Sequence, residues 1–392
     1  MTREIEFGNA ARALWPLDPK VAYLNHGTVG VTPRAVLAAQ TTLRDRIETQ
    51  PAKFMLRDYK DALRKAADTA ATVFGGRGRD YVFTDNATAG INAVLRSLPL
   101  AEGQEVLVTD HTYGAIRNAA AYACRQSGAK LVVVSIPFPS AGPDEAIAAL
   151  SNALSERTRL AILDHITSET ALVLPLEAMI VLCRGVGAKV LIDGAHAPGT
   201  LALDIPALGA DWYAANLHKW YFAPRGCGLL WADEAAQEDL HPASISWRLD
   251  EGYTAEFDWN GTRDPSPFLC FPEGVAFMDK LGAEAVRAYN HDLVVRGAGL
   301  LFERFGPDLS IPEAMTGAMA LAPLPTSLPT GANHAQSLRD ALLFQHDIEV
   351  PIVAWAGRLW ARTAAQVYCE MRDFERLADA VEEIANSAPT AA

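Results

Sequence analysis

The run Val190-Leu-Ile-Asp193 ends in a carboxylate and leads into Gly194-Ala-His196-Ala-Pro-Gly199. Twenty-six residues past Asp193, a lysine stands in Asn216-Leu-His218-Lys219-Trp220. An apolar run closing on Asp places an acid at the rim of a sheet, and the lysine follows a second short run. A lysine amine captures an aldehyde as a Schiff base. A carboxylate facing a pyridine nitrogen keeps it protonated, so that the ring accepts electrons. Either segment alone would also suit an ordinary sheet edge with solvated charges. Together they are what a pyridoxal phosphate site requires.

Further polar residues fall where such a site needs them. Tyr23-Leu-Asn25-His26-Gly27-Thr28-Val-Gly30-Val-Thr-Pro33 holds an Asn-His pair in a Gly-rich turn, and Pro33 is suited to open a helix. The short run Tyr81-Val-Phe-Thr84 precedes Asp85-Asn86-Ala87-Thr88-Ala89-Gly90 and a helical pattern of Ile91, Val94, Leu95 and Leu98. A strand, a small polar turn and a helix start converge unpaired N–H groups and the positive end of the helix dipole on an anion. The same residues would also serve as a plain cap.

The elements that position these residues alternate. Strands are expected at 106–109, 130–136, 160–163, 189–192, 211–214 and 228–231, with helices at 33–48, 57–74, 114–126, 144–155 and 175–184 between or before them. This alternation implies a mostly parallel α/β sheet with right-handed crossovers, in which ligands bind at the carboxyl ends of strands. Asp110-His111-Thr112-Tyr113, Asp164-His165-Ile-Thr-Ser168, Asp193 and His196 all lie at such ends. Residues 247–268 are rich in aromatic and polar residues, with Gly261-Thr262-Arg263-Asp264 inside them reading as a loop; helices follow at 273–289 and 291–305, and 307–333 is rich in turn formers. A helix at 334–345, strands at 348–353 and 358–362, and a closing helix at 372–387 make a separate α+β lobe beginning near residue 280.

With 392 residues, half of them hydrophobic, the chain can bury a large core in two lobes. A net charge of −13 argues against nucleic acid as a partner. The five cysteines are scattered, with no C-x-x-C pair, so neither a disulfide framework nor a metal site is expected. No signal-type run opens the sequence and no stretch is long enough to span a membrane, so a cytoplasmic protein is expected.

These motifs, with Gly261-Thr262-Arg263-Asp264 and Arg362-x-x-x-Gln366-x-Tyr368, resemble the class V aminotransferase superfamily, and within it the isopenicillin N epimerase-like branch. The resemblance covers almost the whole chain. It implies a fold-type I pyridoxal phosphate enzyme with an N-terminal arm (1–20), a large domain (21–280) carrying a mostly parallel seven-stranded sheet, and a small α+β domain (281–392). It also implies a homodimer with a shared active site. Lys219 would carry the cofactor, Asp193 would bind the pyridine nitrogen, and His196 would lie near the ring and its 3-hydroxyl. Ala87, Thr88, Asn216 and His218 would surround the phosphate, which Thr262 would reach from the partner subunit. Ser168 would hold the ring oxygen, Arg362 would clamp the substrate carboxylate, and Asn25 and His26 would stand near the substrate. His111 is favoured to stack on the ring, with Tyr113 beside the substrate, though either could face the ring or act as a second acid/base.

Proton removal at Cα of an amino acid is the shared first half of several reactions. Epimerisation, transamination and C–S cleavage diverge from it. A persulfide-forming desulfurase needs a cysteine on a mobile loop, and the stretch from Leu321 to Asn333 has none. A pyridoxal phosphate-binding regulator without catalysis would need a basic DNA-binding module, and none is evident. The retained Lys219 and Arg362 favour turnover.

Overall fold

The computed structural model describes residues 5–139 and 142–387. Its strands are β1 (Ala22–Tyr23), β2 (Tyr81–Thr84), β3 (Glu105–Thr109), β4 (Lys130–Val134), β5 (Thr158–Asp164), β6 (Lys189–Gly194), β7 (Trp212–Asn216), β8 (Gly228–Ala232), β9 (Met319–Pro323), β10 (Ile348–Glu349), β11 (Ile352–Trp355) and β12 (Arg358–Ala364). Seven of them form one sheet in the order β2-β8-β7-β6-β5-β3-β4. Only β8 runs against its neighbours, as expected of a mostly parallel α/β sheet.

Both faces of the central strands are covered, so these strands are continuously apolar rather than alternating. In β5, Leu160 and Ile162 join one core while Ala161 and Leu163 join the other. At the end of the pleat the pattern changes from apolar to acidic. Asp164 and Asp193 lie side by side in the β5–β6 register.

The second lobe is a three-stranded antiparallel sheet, β11-β12-β9, packed with the helices Ala283–Phe305, Ala332–His346 and Met371–Ser387. The expected single strand over 348–353 is divided in two. Pro351 has no N–H to offer a ladder, so β10 turns away to pair with β1, and the Pro351 carbonyl accepts from the Arg362 amide at 2.9 Å. The expected helices at 273–289 and 291–305 are instead Phe271–Leu281 and Ala283–Phe305. The break falls at Gly282, whose φ of +81° is a left-handed conformation that glycine adopts readily. The stretch from 247 onward holds two short helices, Tyr253–Asp258 and Ser266–Leu269, on either side of the expected loop at Gly261–Asp264.

The N-terminal segment ties the lobes together. The Gly8 amide donates to the Val367 carbonyl at 2.7 Å. Trp15 is buried against Phe222 and Phe277 on one side and Tyr368 on the other. Removing so large a buried ring leaves a cavity at the junction of both lobes. Trp15→Ala is expected to cost about 3–5 kcal/mol, read as a lower urea midpoint; a loss below about 1 kcal/mol would show the arm to be dispensable.

Candidate active site

A cavity of about 310 Å³ opens at the carboxyl ends of β5, β6 and β7, between the two lobes. One end is the start of the Ala87–Ser97 helix. Asn86 caps it, its side-chain oxygen accepting from the Ala89 amide at 2.9 Å. Asn216, the last residue of β7, accepts from the Ala87 amide, also at 2.9 Å. This contact needs Gly228 in β8, where a Cβ would come within 2.5 Å of Asn86 Cα. Thr88 and His218 line the same end. The His218 Nδ1–H donates to the Cys227 carbonyl at 2.9 Å, fixing the ring, and burial holds its pKa down at about 4.

The opposite end is acidic. Asp193 accepts from the Ala195 amide at 3.0 Å, and Asp164 accepts from the Thr112 hydroxyl at 3.0 Å. Burial raises both carboxyls, and the Asp193 charge raises Asp164 further, while the Lys219 ammonium lowers Asp193. Two adjacent carboxyls in an apolar site do not both ionise. Of the pair, Asp164 holds a proton the more strongly, because the Asp193 charge adds to the effect of its burial.

Lys219 lies between these ends and is buried. Burial and the nearby Arg362 cation lower its pKa to about 7, against the opposing pull of Asp193. Its Nζ is 3.1 Å from His196 Nε2. The Trp220 indole N–H, which can only donate, faces His196 Nδ1 at 3.5 Å. The neutral imidazole therefore carries its proton on Nε2 and donates it to the lysine amine. Burial keeps His196 neutral, with Lys219 and Arg362 adding to the effect.

Arg362, on β12, reaches the cavity from the small lobe. It donates through Nη1 to the Ser168 carbonyl and through Nη2 to the Thr28 hydroxyl. Its Nε is buried without a hydrogen-bond partner, an orphaned donor suited to an incoming carboxylate. Burial lowers its pKa to about 10, so it remains a cation at neutral pH.

Of the residues expected at a site, the cavity gathers Ala87, Thr88, Tyr113, Ser168, Asp193, His196, Asn216, His218, Lys219 and Arg362. It does not gather the other four. His111 is buried behind the wall. Its ring nitrogens meet the Thr170 hydroxyl at 2.6 Å and the Ile136 carbonyl at 2.9 Å, and the Trp355 ring packs on it at 4.7 Å. His111 is not among the cavity's lining residues, and Tyr113, 45% exposed, lines it.

His26 lies beneath Lys219. Its Nε2–H donates to the Lys219 carbonyl at 2.9 Å, and its Nδ1 accepts from the Tyr368 hydroxyl at 2.8 Å. Asn25 turns to Glu349 at 2.8 Å. Thr262 is exposed in a separate groove of about 720 Å³ with Leu56, Trp247 and Trp259.

Thr28 and Asp164 belong to the cavity and carry no expected role. Asp164 has a signal in the sequence, since it ends the strand that a parallel register sets beside Asp193. Thr28 has none, because its contact with Arg362 spans the two lobes.

The fit to pyridoxal phosphate is good in donor type: a helix start with a histidine at one end, a buried carboxylate at the other and a neutral amine between. Comparison with known proteins agrees. The sequence model of the aminotransferase class-V family matches residues 23–309. A putative L-cysteine desulfhydrase 2 of Oryza sativa subsp. japonica is 32% identical over 94% of this chain and 85% of its own. An isopenicillin N epimerase of Streptomyces clavuligerus is 32% identical over 95% of this chain and 97% of its own. Among solved structures, the cystine C–S lyase C-DES in complex with cysteine persulfide superposes with a TM-score of 0.77 at 23% identity, covering 94% of this chain and 98% of its own. A C-DES mutant with glycine covalently linked to its cofactor gives 0.80 at 22%, covering 96% and 99%. With the family model spanning most of its length and relatives matching nearly end to end, the chain belongs to the class V aminotransferase family.

Proposed function

We propose that the protein is a pyridoxal phosphate-dependent enzyme that removes the α-proton of an amino acid or amino-acid derivative, as an isopenicillin N epimerase-like member of its family. The observation that carries this reading is the convergence of Lys219, Asp193 and Arg362 on one cavity. Bound pyridoxal phosphate supplies an aldehyde that captures the substrate amine and a ring that accepts charge released at Cα.

The residues divide the remaining work. Ala87, Thr88, Asn216 and His218 hold the phosphate, and Asp193 holds the ring nitrogen. Ser168 and His196 attend the ring oxygen, and Arg362 takes the substrate carboxylate. Lys219, neutral at working pH, receives the proton from Cα at Nζ. Tyr113 covers the ring or returns a proton to the opposite face of Cα, as epimerisation requires. His26 and Asn25 act from behind the wall, on Lys219 and on the loop, rather than on the substrate itself.

A second reading, C–S cleavage by loss of a β-thiolate, is favoured by the desulfhydrase and cystine lyase relatives. In either reading no cysteine serves as nucleophile. All five are free and buried, and none lines the cavity. Free thiols suit a reducing, cytoplasmic setting. No described helix is long and apolar enough to cross a membrane.

The groove holding Thr262 also displays Trp247, 90% exposed, and Leu56, 70% exposed. Apolar exposure of this kind supports a homodimer in which Thr262 completes the partner's phosphate site. Sedimentation at micromolar concentration should give twice the chain mass, and a monomer would remove Thr262 from the site.

The Lys219 pKa of about 7 gives a pH dependence with a definite sign. Below that value the amine is protonated and cannot attack; above it the amine is free. Covalent capture of added pyridoxal phosphate by stripped protein, followed by absorbance, should accelerate from pH 6 to 8 and then level. Arg362→Gln should move the inflection upward by removing a neighbouring cation, and Lys219→Ala should abolish capture. A flat profile would place the amine outside this environment.

In deuterated water the holoenzyme should exchange the α-proton of its substrate. Conversion between D and L forms supports the first reading; pyruvate, ammonia and sulfide from cysteine support the second. No exchange across a panel of amino acids and cysteine conjugates would defeat both.

A further inference from the structure

Arg362 is a buried cation to which no carboxylate is hydrogen-bonded among the described residues; Glu169 acts on it only through space. Its Nη2 donates to the Thr28 hydroxyl at 2.7 Å. The Thr28 hydroxyl donates in turn to the Asn25 side-chain oxygen. The Asn25 amide nitrogen then donates to the Glu349 carboxylate at 2.8 Å. The direction of this chain is forced, because a guanidinium cannot accept and a carboxylate does not donate. Each neutral link therefore turns its oxygen toward the arginine and its hydrogen toward the glutamate. Dipoles aligned in this way reinforce one another between opposite charges.

The framework fixes both ends. Glu349 lies on β10, whose backbone carbonyl at that residue accepts from the Leu24 amide at 3.0 Å, one residue before Asn25. Arg362 is tied to the same stretch through its amide on the Pro351 carbonyl. The relay thus crosses from the N-terminal loop to the small lobe and back within a short, braced circuit.

We propose that Glu349, acting through Asn25 and Thr28, is the counter-charge joined to Arg362 by hydrogen bonds, and that these three are positioning residues for a carboxylate-bearing substrate. The inference rests on the reading of Arg362 as the carboxylate clamp. A carboxylate set directly on the guanidinium would occupy the fork that the substrate must use. A desolvated cation with no compensation would be costly. The relay meets both demands, orienting the guanidinium while its buried Nε stays unclaimed.

The test uses holoenzyme and two ligand pairs, L-alanine with ethylamine and L-cysteine with cysteamine, each pair an amino acid and the same amine without its carboxylate. Binding is read from the change in cofactor absorbance. Thr28→Val keeps the side-chain shape and removes the hydroxyl; Glu349→Gln keeps the shape and removes the charge. Each should weaken the amino acids roughly ten-fold, the scale of one hydrogen bond to a charged group, and leave the amines within about two-fold. Thr28→Ser should behave as the unaltered enzyme. Arg362→Gln should bind acid and amine alike.

Should Arg362→Gln erase the preference while Thr28→Val and Glu349→Gln retain it, the relay is wrong and the clamp stands. Equal weakening of acids and amines by Thr28→Val or Glu349→Gln would show a general structural role and overturn the relay. Equal binding of acid and amine by the unaltered enzyme would overturn the clamp and the relay together.

Discussion

A primary amine buried largely out of water holds its proton poorly, and that fact governs this molecule. Lys219, on the wall of the cavity, is 9% exposed and near the Arg362 cation, and only the Asp193 carboxylate pulls the other way. The balance leaves the amine poised near neutrality, as a nucleophile or base at this position must be. It depends on the Asp193 carboxyl, which in turn faces Asp164 in the adjacent strand and raises the pKa of that neighbour. The electrostatics of the site are therefore set by strand register. A one-residue slip of β5 against β6 would send one acid to the opposite face.

Position matters as much as charge. The lysine peptide is held from below by the loop after β1. Gly30 there has a φ of +68°, and a Cβ on it would come within 2.8 Å of Lys219 Cα, besides striking the His218 carbonyl. Only a glycine lets the loop lie this close. His26 closes the contact with a hydrogen bond to the Lys219 carbonyl, and burial pushes its pKa down to about 4, so it stays neutral with its tautomer fixed. The Tyr368 hydroxyl completes the bracket from the small lobe. The loop from Asn25 to Gly30 thus braces the lysine through His26 and the arginine through Thr28. Both lobes meet the reacting centre through the same few residues.

Much of this was legible in the sequence. The acid at a strand end, the lysine after the next strand and the Asn-Ala-Thr helix start are local patterns, and the sheet delivers them to one cavity because parallel strands share a carboxyl edge. What was not legible is what depends on contacts across the fold. His111 and Tyr113 are two residues apart after one strand, and nothing local says which faces inward. In the fold Tyr113 lines the cavity, while His111 is anchored by Thr170 and the Ile136 carbonyl. His26 and Asn25 look like substrate ligands in a Gly-rich turn, yet their partners lie more than three hundred residues away, at Tyr368 and Glu349. The helix break at Gly282 and the turn at Pro351 were each marked by a residue with special backbone behaviour, and were misplaced because longer apolar patterns ran across them.

The proposed reaction leaves two chemistries open for this chain. Abstraction of the α-proton would draw on Lys219, Asp193 and Arg362, and none of these three would distinguish one fate of the deprotonated substrate from another. Epimerisation asks for an acid on the far face, whereas elimination asks only that the β-substituent leave with its electrons. In that proposal Tyr113, exposed at the cavity wall, is the residue that would separate these outcomes. Its phenol would either supply a proton to the far face of Cα or shield that face. On this reading, reaction type in this chain would turn on how one aromatic side chain stands beside the buried amine of Lys219.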